Sequence, residues 1–178
     1  MITPAEREYA IQQLDQTGER LMRLLQGLSH DQLLYSPELG RWSIADNVEH
    51  LLVVETRVVG AIEKLLLEPA DASKRCALTD AELVWRVATV QERMPAPPHT
   101  LPKLRWPAET LPDEFVAARR QTRQFTSTVA GNLRGHFITH LLFGDLDCYQ
   151  WLLLLGAHCN RHTLQCESVK SFPSFPRQ

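Results

Sequence analysis

A chain of 178 residues, 44% hydrophobic and 22% charged, can bury one core of its own and is too apolar to stay disordered. Its 19 basic residues against 21 acidic leave no cationic surplus, which argues against nucleic acid as a partner. The longest apolar stretch, residues 151–157, falls far short of the roughly 20 residues that span a bilayer. Residues 1–8 carry acids and no apolar run, so neither a signal peptide nor a membrane partner is expected. The expected setting is the cytoplasm, with reduced thiols.

Thr3-Pro4-Ala5-Glu6 reads as a capping box with proline at the first helical position. Apolar residues then recur at helical spacing through Ile11, Leu14, Leu21, Leu24, Leu25 and Leu28. The polar segment 29–40, with Pro37 and Gly40, reads as the loop that ends this helix. Ser43 with Asp46 three residues on starts a second helix, which runs to about Leu67 and stops before Pro69. Thr79-Asp80-Ala81-Glu82 signals a shorter helix extending to about Arg93.

Residues 94–112 hold six of the eleven prolines, too many for any regular element. Leu101, Leu104 and Trp106 can anchor this stretch on the core, which makes it an ordered crossover rather than a flexible linker. Pro112-Asp113-Glu114 opens another helix, carried by Phe115, Ala118, Thr122, Phe125 and Val129 to about Leu133. A loop with Gly135 and Gly144 follows. A box from Asp147 to Gln150 starts the last helix, which ends near Lys170. No stretch alternates as a strand does. The expectation is an all-α, four-helix bundle over residues 1–170, with one extra short helix and a Pro-rich crossover. Residues 171–178, with Phe-Pro twice, form a non-helical tail.

Cys76, Cys148, Cys159 and Cys166 contain no C-x-x-C pair and are read as packing residues. The histidines are more informative. His158 and His162 lie one turn apart, about 6 Å at Cβ, close enough for two imidazoles to reach one ion. They share a stripe with Trp151, Leu154, Leu155, Gln165 and Val169, so both face the core. His50 shares the inward stripe of the second helix with Val54, Val58, Ala61 and Leu65, which makes it a third candidate ligand. His136 and His140 have the same spacing but lie in a stretch read as loop or turn, where local hydrogen bonds are the simpler account. His30 and His99 sit in connections and call for no function.

From spacing alone, chance and ordinary core histidines account for most such pairs. Further motifs narrow it. Trp42-Ser43-Ile44-Ala45-Asp46-Asn47-Val48-Glu49-His50-Leu51 precedes His140-Leu141-Leu142-Phe143-Gly144, and then His158-Cys159-Asn160-Arg161-His162-Thr163-Leu164-Gln165. In this order they resemble the DinB/YfiT-like superfamily over most of the chain. Leu141 stands where family members often carry proline, which affects the turn and not the ligands. The resemblance implies a four-helix bundle holding a divalent transition metal, usually zinc or nickel, on three histidines that match His50, His158 and His162.

Three nitrogen ligands leave a coordination position open, as in catalytic rather than structural sites. The resemblance covers both metal-dependent hydrolases and transferases or isomerases that use low-molecular-weight thiols such as mycothiol and bacillithiol. A small-molecule substrate, in one case such a thiol, is therefore expected. The competing reading is a metal-binding stress-response or structural protein without turnover.

Spacing also suggests the surroundings of the ligands. Gln165 is placed to bond His162, and Asp46 either orients His50 or caps its helix. Glu49 is expected to be exposed, and Glu55 to lie at a helix interface or in solvent. Arg161 should reach the edge of the site, Cys166 is a weaker fourth ligand, and Gly156 marks a close approach. A homodimer is compatible with a bundle of this size, and Phe172 and Phe175 offer a surface for one.

Overall fold

The computed structural model describes residues 1–89 and 96–177. Four long helices form the bundle: α1 (Pro4–Leu25), α3 (Ile44–Leu65), α5 (Leu111–Thr128) and α6 (Cys148–Lys170). Two shorter ones, α2 (His30–Leu34) and α4 (Asp80–Thr89), accompany them. The last helix is central, packing on α1, α3 and α4, while α5 closes the bundle against α1 and α3.

The helix starts follow local chemistry. Thr3 Oγ1 accepts the Glu6 N–H at 3.1 Å, and Glu6 returns the bond to the Thr3 N–H at 2.6 Å. Ser43 and Asp46 do the same at 3.1 and 2.9 Å, so Asp46 is a cap of α3. At α6 the box is one-sided. Asp147 Oδ1 accepts from the Gln150 N–H at 2.7 Å, but Gln150 Nε2 donates to the Leu78 carbonyl at 2.8 Å.

Three local expectations change. Ser29 and Gln32 form a complete capping box inside the expected loop, and α2 results. Helix α5 stops at Thr128, before Gly131 and a 3₁₀ turn at Leu133–Gly135. Two strands, β1 (Phe137–His140) and β2 (Gly144–Asp147), pair antiparallel with Phe137 opposite Asp147 and His140 opposite Gly144. Four residues per strand are too few to print an alternating pattern, and Gly144 at φ +69° supports the turn. Helix α4 is described to Thr89, and its expected continuation to Arg93 lies outside the described residues.

Apolar burial divides between two larger clusters. One gathers Leu21, Leu25, Ile44, Val48, Leu51 and Phe115 with Cys159 and Cys166. The other joins Ala10, Leu14, Val58, Ile62, Tyr149 and Leu152. All four thiols are free, and burial pushes Cys148 up to about 12 and Cys76 to about 11, so they stay protonated and unreactive. Gly156 faces α1 so closely that a Cβ there would lie 3.2 Å from the Gln13 Cβ, which explains glycine inside a helix. The tail packs on its own chain, with Phe175 edge-on to Tyr35 at 5.5 Å and the Pro176 carbonyl accepting from Gln32 at 2.8 Å.

Arg134 ties the start of the bundle together. Its guanidinium donates to Glu6, Asp80 and Asp147, from α1, α4 and the α6 cap, and lies 4.2 Å from the Tyr149 ring centre. Burial alone would raise the Glu6 carboxyl. The Thr3 N–H and hydroxyl and the Arg134 guanidinium outweigh it and hold the group at about 2, against an ordinary 4.5. A carboxyl depressed on folding stabilises the fold above the unfolded value, and that contribution is lost as pH falls from 4.5 towards 2. In urea unfolding, the gap between wild type and Glu6→Gln should therefore be widest at about pH 6 and narrow steadily below about pH 4. A gap independent of pH would contradict this assignment.

Candidate metal centre

Three histidines from two helices meet in the bundle. His50 comes from the second turn of α3, and His158 and His162 from adjacent turns of α6. One ligand atom from each lies within 4.8 Å of the others. The His158 and His162 Nε2 atoms are 3.0 Å apart, and the His50 ring centre is 5.1 and 4.9 Å from theirs. Among the described residues no cysteine or carboxylate joins the group.

Hydrogen bonds set which nitrogen faces inward. His50 Nδ1 donates to the Thr100 carbonyl at 2.8 Å. A carbonyl only accepts, so this nitrogen carries the proton and Nε2 presents a lone pair. His162 Nδ1 is 2.7 Å from Asn47 Oδ1. The other end of that amide donates from Nδ2 to the Ser43 carbonyl at 2.8 Å, which fixes the oxygen as the atom facing His162. His162 therefore also offers Nε2. Without an ion, His158 must donate into that lone pair. With one, the nitrogens supply the neutral imidazole donors that divalent transition metals take. The donor set fits such an ion.

Electrostatics favour the same state. Burial, first of all, lowers the pKa of each of the three rings. Neighbouring imidazoles and the Arg161 guanidinium lower His158 and His162 further, while Gln165 hydrogen bonding opposes the shift at His162. At His50 the Thr100 bond opposes burial and Arg161 adds to it. Neutral rings are the ligand form. His50 and His162 are buried and His158 is half-buried, so the cluster lies largely inside the bundle. Trp42 closes another side, its ring 4.9 Å from His50 and stacked at 5.9 Å on His162.

The remaining candidates separate cleanly. His136 and His140 do not form a second centre. Residues four apart in extended chain lie about 13 Å apart, and their partners differ. Both His136 nitrogens face backbone carbonyls, of Asn132 at 2.8 Å and Glu68 at 2.9 Å. His140 Nδ1 accepts the Leu142 N–H at 3.2 Å, and the ring packs on Phe143 and Trp151. His30 pairs with Glu109 at the surface. Cys166 is a buried thiol whose pKa burial raises. Arg161 acts on the rings electrostatically, as a residue at the edge of the site would.

Two expectations about this region fail. Glu49 is not exposed but 1% accessible, because the crossover covers the face of α3 that helical periodicity assigns to water. Leu101 and Leu104 do not anchor that crossover. Leu104 is 69% exposed; of the three expected anchors Trp106 does pack on the core, and polar bonds to α3 hold the rest of the crossover. Asn47 is a contact that spacing could have found, since it lies three residues before His50 on the same face. Thr100 carries no sequence signal, because it acts through its backbone.

Comparison with known proteins identifies the family and the fold. A family model described as the DinB superfamily matches residues 13–166, a span that includes all three histidines. The solved structure of YfiT from Bacillus subtilis, described as a probable metal-dependent hydrolase with an unusual four-helix bundle topology, superposes with a TM-score of 0.57. The two are 14% identical, and the match covers 96% of this chain and 89% of that one. At that identity the likeness speaks for the fold. No curated protein matches the chain.

Proposed function

The chain belongs to the DinB superfamily, and on that premise we propose that it is a metal-dependent enzyme acting on a small molecule, with His50, His158 and His162 holding one divalent ion, zinc or nickel. The observation that carries this reading is the convergence of three neutral imidazoles with two of their Nδ1–H groups committed elsewhere. The chain's own residues hold and orient. Asn47 and the Thr100 carbonyl select the tautomers of His162 and His50, and Trp42 keeps water from their rings. Substrate would approach beside His158, the least buried residue of the three.

A divalent ion with an open position supplies Lewis-acid activation, of a water for hydrolysis or of a thiol for transfer. Hydrolysis is the leading form, since the structurally similar YfiT is described as a probable metal-dependent hydrolase. The thiol transferase remains as the second form of the same site. No helix among the described residues is long and apolar enough to cross a membrane, and we place the protein in the cytoplasm.

Protein purified without chelator should contain about one equivalent of transition metal, and chelation should remove activity that added zinc or nickel restores. Turnover of an ester or amide without added thiol supports the hydrolase. Turnover only with a low-molecular-weight thiol supports the transferase. Metal without either reaction would leave a metal-binding protein and end the enzymatic reading.

A further inference from the structure

Glu49 and His50, neighbours on α3, hold the same piece of the crossover. The Glu49 carboxylate accepts the Lys103 N–H at 2.9 Å, the Leu104 N–H at 2.8 Å and the Arg105 N–H at 3.4 Å. Arg105 adds its guanidinium at 2.6 Å. Leu104 adopts φ +55°, the one positive φ of a non-glycine residue among those described. A left-handed residue turns successive N–H groups towards one point, which makes a backbone nest for an anion. Here the anion is a side chain of the protein.

The nest lies three residues beyond Thr100, whose carbonyl accepts from His50. Pro102 stands between them, and Pro97 and Pro98 precede Thr100. Pro102 fixes one φ in the two-residue link between Thr100 and the nest, which limits how far residues 103–105 can shift without moving the Thr100 carbonyl. Burying a carboxylate is costly unless it is fully bonded, and four donors meet that need only when the crossover is docked.

We propose that Glu49 is a positioning residue for the metal centre: by clamping residues 103–105 it fixes the Thr100 carbonyl, and through it the ring orientation and tautomer of His50. The inference rests on the three-histidine metal reading, and its test separates the two. Full-length Glu49→Gln and Arg105→Ala are compared with wild type. The readouts are zinc affinity by chelator competition, the visible spectrum of the cobalt(II) form, hydrogen exchange over residues 97–106, and ¹⁵N imidazole shifts of His50 in metal-free protein.

Glu49→Gln should weaken zinc binding by up to about 10-fold, the low end of what losing a ligand's direct outer partner costs, because Glu49 acts through Thr100. It should also change the cobalt spectrum, speed exchange in the crossover and mix the His50 tautomers. Arg105→Ala keeps the backbone donors, so it should shift every readout in the same direction by less. Should Glu49→Gln fail to fold, Arg105→Ala carries the test. Faster exchange with zinc affinity, spectrum and tautomer unchanged would overturn the inference and leave Glu49 a structural clamp. Wild type that binds neither zinc nor cobalt would defeat the metal reading instead, and the metal-free ¹⁵N shifts would still decide whether Glu49 positions His50.

Discussion

His162→Ala is expected to weaken divalent-metal binding well beyond the roughly 10–100-fold that loss of an outer partner costs. The ring lies at the centre of the arrangement. It sits 3.0 Å from His158, has a ring centre 4.9 Å from that of His50, is stacked under Trp42 and is oriented by Asn47. Removing it deletes one of three donors and leaves the Asn47 amide oxygen without its partner. Asn47→Ala removes only the orientation, so it should fall inside that 10–100-fold range. The two variants therefore rank, with His162→Ala the weaker binder. Chelator competition on folded protein measures both, and equal affinity of His162→Ala and wild type would place the metal elsewhere.

Arg119→Met is expected to cost about 3–5 kcal/mol of stability without touching the histidines. Arg119 and Glu55 form a bidentate pair at 2.8 and 2.9 Å, with side chains 8% and 2% exposed. The guanidinium also donates to the Leu14 carbonyl and to Thr17, joining α5 to α3 and α1. Methionine fills similar volume but strands a carboxylate in the bundle interior, which is where the cost arises. Arg119→Met with Glu55→Leu removes both charges and should recover much of the loss, a coupling expected of partners in direct contact. Chemical unfolding checks this. A single variant within about 1 kcal/mol of wild type, or a double variant no better than the single, would contradict it.

The bundle was legible because its helices announce their starts. Thr3 with Glu6 and Ser43 with Asp46 are boxes that the structure forms as spaced. The Ser29–Gln32 box was equally present in the sequence, yet the five-residue helix it opens is too short for an apolar period to show. The same limit hid the β1–β2 hairpin. The meeting of the three histidines was legible for a different reason. One-turn spacing on α6 and an inward stripe on α3 are properties of helices, and helices transmit sequence spacing into space faithfully.

What supports the trio was harder to read. Helical periodicity treats α3 as having one buried side, and by that rule Glu49 faces water. Residues 47–53 are instead buried without a break, since the crossover packs on the outer face. Nothing local specifies that packing. It depends on contacts between residues some fifty positions apart and on backbone groups of Thr100, Lys103 and Leu104, whose side chains carry no trace of the role. Exposed Leu104 even points the wrong way, because a leucine in a Pro-rich segment suggests an apolar anchor.

The central claim is that one divalent ion sits on three imidazoles, with no sulfur. X-ray absorption on the zinc-loaded protein tests it directly. The account predicts a first shell of nitrogen and oxygen at about 2.0–2.1 Å with imidazole outer-shell scattering from three rings. A sulfur shell at about 2.3 Å, or scattering without the imidazole signature, would contradict it.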